Sequence, residues 1–491
     1  VLVLFILQDI NVRRDKANNC FIIFASNLMK FIYYILRYLQ TIMSKTKPSI
    51  PKGMRDFNSN VMFRRNYIFE TVKTAFECYG YAPIETPAME NIQTLTGKYG
   101  DEGDRLIFKV LNSGDFLSKV NIDKDTDSKN LTKSIVEKAL RYDLTVPFAR
   151  FVAQNRNEIT FPYKRYQMQN VWRADRPQKG RFREFFQCDA DVIGTDSLLC
   201  EVELIQLYDE VFTKLKIPNV TIAINNRKIL SCMVELMDAE SLFDDIVIIL
   251  DKIDKIGIEK VKNEIEVLGV DKSSLSILDS FLNAKSIDDL STLLNKSEVG
   301  SKGLQELKFI FDNISKLGLQ SACLSLDISL ARGLNYYTGC ILEVKANDVV
   351  IGSIGGGGRY DNLTSIFGLK DVSGVGISFG IDRIYIVMQE LELFPANIDT
   401  TTKVLFANFG ETETAYCLPL LKNLREQGIN SEIYPKNDKI KKQMAYANSK
   451  GIQFVIIVGE DEMDSGVLSV KNMESGEQIN LSVSDMLKQF S

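Results

Sequence analysis

The chain of 491 residues is too long for one hydrophobic core and calls for roughly two to four domains. An apolar fraction of 45%, a charged fraction of 25% and a formal charge of −5 are ordinary for a soluble globular protein, so a polyanionic partner has to be met by local basic patches. Histidine is absent, which excludes Ser/His and Cys/His nucleophile pairs and the usual imidazole zinc ligand, and leaves chemistry to Arg, Lys, carboxylates, Tyr or a hard cation.

Residues 1–42 differ from the rest. VLVLFILQDI and FIIFASNLMKFIYYILRYLQTIM are rich in Phe, Ile, Leu and Tyr, but Lys30 and Arg37 interrupt the second run. No apolar stretch approaches the roughly 18 to 20 residues of a membrane span, and no signal-peptide pattern is present. The expectation is upstream sequence translated in frame, with Met43 as the start; an amphipathic membrane-surface helix is the competing reading. The eight cysteines, from Cys20 to Cys417, are scattered without a Cys-x-x-Cys pair and read as reduced thiols of a cytoplasmic protein.

From Pro51 the pattern becomes regular. NYIFETVKTAFECYGY spaces its apolar residues as a helix that stops at Gly80, and APIETP reads as a short strand closed by Pro87. Residues 115–138 are polar and read as a surface excursion. QNVWRADRPQKGRFREFFQCDADVIG, residues 169–194, reads as the heart of two antiparallel strands joined by a basic loop. Period-two alternation puts Arg165, Gln167, Gln169 and Arg173 on one face of the first arm, and Arg183, Phe185, Gln187, Asp189 and Asp191 on one face of the second. The opposite face of the second arm, with Phe182, Phe186, Cys188, Ala190 and Val192, builds core. A polar face of Gln, Arg, Phe and Asp, rather than Lys and Glu, suits a pocket with cations for phosphates, a ring for stacking and carboxylates for a donor-rich ligand.

DSLLCEVELIQLYDEVFTKL follows as a long amphipathic helix. Residues 220–320 hold several helical segments with little motif content and read as an inserted helical domain between a first catalytic part, 43–219, and a second, 321–395. In that second part, SLDISLARGLNYYTGCILEV begins and ends with strand-like alternation around Arg332 and paired tyrosines. GSIGGGGRYDNL is either a strand passing close under a ligand or a flexible turn. VGISFGIDRIYIVM puts Arg383 at the start of an apolar helix, where an anion or a salt bridge to Asp382 or Glu390 are both open. A linker around 395–402 precedes a small α/β domain over 402–491.

Taken together, these motifs resemble those of the histidyl-tRNA synthetases, class II aminoacyl-tRNA synthetases, in order and spacing over about Pro51 to Ser491. PKGMRDF is similar to the family's N-terminal signature. The helix and strand ending at Pro87 look like the first class II motif, WRAD-loop-RFREF like the second and GISFGIDR like the third. LARGLNYYTG and GGGGRYDNL look like the two family-specific histidine motifs. Asp175 stands where class II enzymes usually carry Glu, Asn335 where the arginine motif often has Asp, and Met54 where Thr is common.

The resemblance implies an α+β catalytic domain built on an antiparallel sheet, a helical insertion and a C-terminal α/β anticodon-binding domain. It implies ATP-dependent ligation of histidine to tRNA(His) through a histidyl-adenylate, by a cytoplasmic homodimer with no membrane partner. Arg173, Asp175, Arg181, Phe185 and Arg383 would bind ATP, with Arg173 on the α-phosphate and Phe185 on adenine. Asp143, Thr145 and Gln187 would hold the histidine amino group; Asp191, Tyr337 and Tyr360 would read the imidazole, with Tyr336 and Arg332 beside them. Arg332 would be the electrophilic catalyst. Arg176, Gln178 and Lys179 would touch the tRNA acceptor end, and the run KNDKIKKQ, 436–443, is either a phosphate patch or a solvated helix face. No protein metal site is implied, since Mg²⁺ travels with ATP. The rival readings are a catalytically silent module that senses histidine or uncharged tRNA, and a class II relative that charges another amino acid.

Overall fold

The structure is a computed structural model that describes residues 28–30, 32–34, 48–118, 120, 127–284, 286–331, 336–395, 398 and 402–490. The chain divides into two compact units, Val1–Pro51 and Lys52–Ser491. In the first, residues 28–30 and 32–34 are helical with exposed side chains. The expectations for residues 1–42 otherwise lie outside the described residues, as do most of those for the linker around 395–402.

In the second unit the strands are, in chain order, β1 (Ala82–Pro83), β2 (Met89–Asn91), β3 (Lys109–Val110), β4 (Lys138–Leu140), β5 (Tyr163–Trp172), β6 (Glu184–Ile193), β7 (Val220–Asn226), β8 (Ala322–Leu326), β9 (Cys340–Ala346), β10 (Gly355–Tyr360) and β11 (Gly374–Gly380). Beyond residue 402 come β12 (Val404–Phe406), β13 (Ser431–Ile433), β14 (Phe454–Ile457), β15 (Val467–Asn472) and β16 (Gln478–Ser482).

Eight strands form the main sheet in the order β1-β5-β6-β11-β10-β9-β7-β8. Only its outer pairs, β1 with β5 and β7 with β8, are parallel. The six strands from β5 to β7 run antiparallel, each to the next. The β5–β6 pairing sets Arg165 opposite Asp191, Gln167 opposite Asp189 and Gln169 opposite Gln187, so the polar residues share one face. Cys188, Ala190 and Val192 on the other face join the core.

That core is closed by helices whose apolar stripes turn inward. Helix Ser59–Cys78 is capped by the Asn58 side chain on the Val61 amide at 3.0 Å and buries Ile68, Val72, Ala75 and Phe76. Gly80, at φ +80°, lets the chain turn out of it toward β1. Helix Leu199–Lys214 buries Leu204, Leu207, Tyr208, Val211 and Phe212 in the same cluster.

The boundary of the helical insertion needs correction. Residues 220–226 belong to the sheet, as β7 between β9 and β8, because Val220, Thr221, Ile222 and Ile224 form a β-branched run suited to a buried strand. The helices that follow, from Arg227–Leu236 to Glu298–Leu317, pack Ile229, Leu230, Leu307 and Ile310 into one continuous cluster with Val220, Ile222 and Ile224. The glycine-rich segment 355–358 is also settled: it is an internal strand, β10, rather than a turn.

Residues 402–490 form a mixed five-stranded sheet, β13-β12-β14-β15-β16, with its own buried clusters. In the basic run 436–443, Lys442 pairs with Asp438 at 2.8 Å, while buried Gln443 holds the Asn408 backbone. Among the described residues, no helix is long and apolar enough to cross a membrane.

Candidate active site

The polar face of β5 and β6 floors a cavity of about 300 Å³, completed by β10, β11 and the tyrosines of segment 336–337. Twelve residues anticipated for ATP or the amino acid line it: Asp143, Thr145, Arg173, Asp175, Arg181, Phe185, Gln187, Asp191, Tyr336, Tyr337, Tyr360 and Arg383. Arg332 lies outside the described residues. Arg176, Gln178 and Lys179 stand off the cavity on the β5–β6 loop. Gln178 and Arg181 exchange backbone bonds there, and exposed Lys179 reaches Glu390 at 2.8 Å.

One end of the cavity is cationic and aromatic. Arg173 donates Nε–H to the Tyr142 carbonyl at 3.0 Å and lies over the Tyr142 and Phe185 rings at 4.2 and 5.2 Å. Arg181 pairs with Asp175 at 3.0 Å. Arg383, in the first turn of helix Ile381–Glu390, donates to the carbonyls of Gly180 and Ser353 at 2.9 and 2.6 Å. It therefore ties the basic loop to the segment before β10.

Its neighbour Asp382 has a different task. The carboxylate accepts from Arg55 at 2.6 Å, from Arg65 at 2.5 Å and from the Phe186 amide at 3.1 Å. Arg55 also lies 3.3 Å over the Phe182 ring, and the Arg183 amide donates to the Gly53 carbonyl at 2.8 Å. The PKGMRDF segment thus fastens the second and third motifs together, a role its sequence did not disclose.

The other end is acidic and phenolic. Tyr360 donates to Asp191 Oδ1 at 2.6 Å, Tyr99 donates to Asp143 Oδ1 at 2.8 Å and the Val146 amide donates to the same oxygen at 3.2 Å. Arg165 Nη2 lies 2.7 Å from Asp191 Oδ2, both fully buried, yet off the hydrogen-bonding line, so the contact is an ion pair and both atoms retain bonding capacity. Gln187 donates to Ser378 Oγ at 2.9 Å; among the described residues its Oε1 has no partner, and Asp189 Oδ1 is likewise unpartnered. Burial raises the pKa of Asp143, Asp189 and Asp191 alike; Arg165 opposes it in all three.

Backbone makes room for these groups. A Cβ on Gly376, the partner of Asp191 across β6–β11, would sit 2.0 Å from Asp191 Oδ1. A Cβ on Gly358 would meet the Tyr337 ring at 2.9 Å.

Tyr99, Tyr142, Asp189 and Ser378 complete the site without having been singled out. Asp189 shares the alternation of Gln187 and Asp191 and was on the polar face from the start. Tyr99 lies far from any motif, and no periodicity points to it.

A mainly antiparallel sheet carrying an arginine-lined cleft, followed by a separate α/β domain, is the architecture of the class II aminoacyl-tRNA synthetases. A family model described as Histidyl-tRNA synthetase matches residues 116–384, and one described as Anticodon binding domain matches 403–491. A histidine–tRNA ligase of Christiangramia forsetii is 57% identical over 443 residues, covering 89% of this chain and 97% of the relative. That of Phocaeicola vulgatus is 54% identical over 449 residues, covering 90% and 98%. The crystal structure of histidyl-tRNA synthetase from Nostoc sp. PCC 7120 superposes with a TM-score of 0.76 at 30% identity, covering 91% of this chain and 99% of that one. The chain belongs to the histidyl-tRNA synthetase family, whose members use ATP to charge tRNA.

Proposed function

We infer that this protein is an ATP-dependent histidine–tRNA ligase, and that its cavity holds ATP at the arginine end and histidine at the aspartate end. The observation that carries the assignment of ends is the order along β6. Phe185, Gln187 and Asp191 stand on one face, so a ligand laid along the strand meets a stacking ring, then an amide, then a carboxylate bonded to a phenol. Asp191 and the phenols of Tyr337 and Tyr360 suit an imidazole, which offers one donor and one acceptor, or two donors when protonated. An apolar isostere would leave those buried groups unpaired.

The first step is attack of the histidine carboxylate on the α-phosphorus of ATP, with pyrophosphate leaving. That nucleophile is ionised at neutral pH, so no general base is required and the absence of histidine residues costs this step nothing. The protein positions the two reactants and stabilises charge on the phosphoryl oxygens. Arg173 takes the α-phosphate and Arg383 the distal phosphates, and Arg332 is proposed as the electrophile on the family resemblance. Mg²⁺ would come with ATP and screen the phosphate charge; of the two cavity carboxylates at that end, Asp382 is held by Arg55 and Arg65, and Asp175, paired among the described residues only with exposed Arg181, would be the one to turn toward it. In the second step the terminal ribose hydroxyl of tRNA attacks the adenylate. Arg176, Gln178 and Lys179 on the exposed loop suit the acceptor end, and residues 402–491 the anticodon.

Met89, Leu111, Phe116 and Leu117, exposed on and just beyond the small sheet β2-β4-β3, support a homodimer that covers them. The free thiols among the described cysteines support a reducing, cytoplasmic setting.

ATP–pyrophosphate exchange scanned across amino acids tests the assignment. Exchange with histidine alone is the expected result; histidine binding without exchange would make the protein a sensor. Gly376→Ala is expected to raise the KM for histidine at least about tenfold, because the new methyl displaces the Asp191 carboxylate and leaves a buried charge misplaced. An unchanged KM would remove Asp191 from the ring-binding role.

A further inference from the structure

Between Gln187 and Asp191 stands a third buried group that the site as described does not use. Asp189 is 2% exposed, lines the cavity, and is paired across the sheet with Gln167 on β5 and Ser378 on β11. Its Oδ1 and the Oε1 of Gln187 are buried acceptors on the same strand face, without partners among the described residues. Unmet acceptors next to one another in a closed pocket are costly unless a ligand supplies donors.

The ligand's layout selects which donors. One two-residue step of a strand spans about 6.6 Å, comparable to the reach from the α-amino group of histidine to its far ring nitrogen. With the ring at Asp191 and the carboxylate toward Arg173, the α-ammonium falls at the level of Asp189, where the amide of Gln187, next along the same face, reaches toward it. An ammonium offers three donors and no acceptor.

Resting on the ligase reading, we propose that Asp189 is a histidine-binding carboxylate, its Oδ1 and the Oε1 of Gln187 together accepting two N–H bonds from the substrate α-ammonium.

The charge inventory agrees. Among the described residues, Asp143, Asp189 and Asp191 share the inner end with Arg165, and Arg173 acts on Asp143 from the other end, while Gln167, Ser378, Tyr208 and Tyr337 face Asp189 as neutral groups. An arriving ammonium offsets the excess negative charge. Burial, the largest influence, lifts Asp189 to about 7; Arg165 and Ser378 hold it down, and Asp191 and Asp143 push it up.

Protonated, Asp189 meets the ammonium as a neutral acid; as pH rises it becomes an anion. Histidine affinity therefore rises with pH through the neutral range, and binding there expels protons from this group.

Calorimetry on the full chain tests this, with histidine and with triazolylalanine, whose ring stays neutral across the range and isolates Asp189 from the substrate's own titration. Asp189→Asn is expected to weaken both ligands about 10- to 100-fold and to abolish the proton release seen with triazolylalanine. Imidazolepropionate, which lacks the ammonium, should bind parent and D189N equally. Equal histidine affinity in D189N, or retained proton release, would overturn the assignment, as would equal losses for histidine and imidazolepropionate, which would mean that Asp189 only shapes the pocket. A parent chain that binds no histidine would overturn the ligase reading together with it.

Discussion

Arg173→Ala is expected to slow histidine-dependent ATP–pyrophosphate exchange by about 100- to 1,000-fold, the loss typical of removing one aimed donor from a developing oxyanion, while histidine affinity stays close to that of the parent. The guanidinium is held before substrate arrives. Its Nε is fixed on the Tyr142 carbonyl and its plane rests on the Tyr142 ring, which leaves the terminal nitrogens for an anion. Arg173→Lys should recover little, because an ammonium keeps the charge but has neither the planar fork nor the ring contact. If Arg173 takes the phosphoryl group, as proposed, rather than the amino acid, the loss belongs in kcat. Exchange within threefold of the parent would remove Arg173 from the reaction.

Glu201→Ala is expected to cost about 3 to 5 kcal/mol of stability, as breaking a buried ion pair does when one charge is left behind. Arg359 on β10 is 4% exposed and Glu201 is fully buried; they bond twice, at 2.6 and 2.7 Å. The remaining guanidinium hydrogens go to the carbonyls of Thr195 and Ser197 and the hydroxyl of Ser373. Every donor of Arg359 is used, so removing the carboxylate strands a charge with no water to receive it. The urea midpoint followed by the single tryptophan, Trp172 in β5, reads the catalytic sheet without the C-terminal domain. A midpoint shift equivalent to less than 1 kcal/mol would show that the pair is replaceable. Histidine binding should weaken as well, because Tyr360, the next residue, takes its place from the same strand.

Much of the catalytic half could be read from the sequence because strand alternation is a strong local signal. The β5–β6 face was legible residue by residue, since one buried and one polar face leave a single register. The glycines of β10 were ambiguous: the same composition permits a turn, and only pairing with β9 and β11 decides. The start of the insertion was misplaced because β7 is followed at once by helices, and its partner strands lie more than a hundred residues ahead. Contacts such as Tyr99 with Asp143, or Arg55 and Arg65 with Asp382, join residues 44 to 327 positions apart and leave no periodic trace. Asp189 was visible but unweighted, because alternation places a side chain on a face and does not say whether its oxygens already have partners.

The run of glycines in β10 also bears on how this pocket can evolve. At positions 355–357 the cavity is bounded by bare backbone, so every substitution there adds atoms and none removes them. Gly356 is the one with space beside it, its nearest neighbour being the Leu342 carbonyl at 3.4 Å from an added Cβ. A selection for smaller substrates therefore has an accessible first move at Gly356. A selection for bulkier ones finds that wall already at its limit, and has to begin by trimming Tyr337 or Tyr360, the side chains assigned to imidazole.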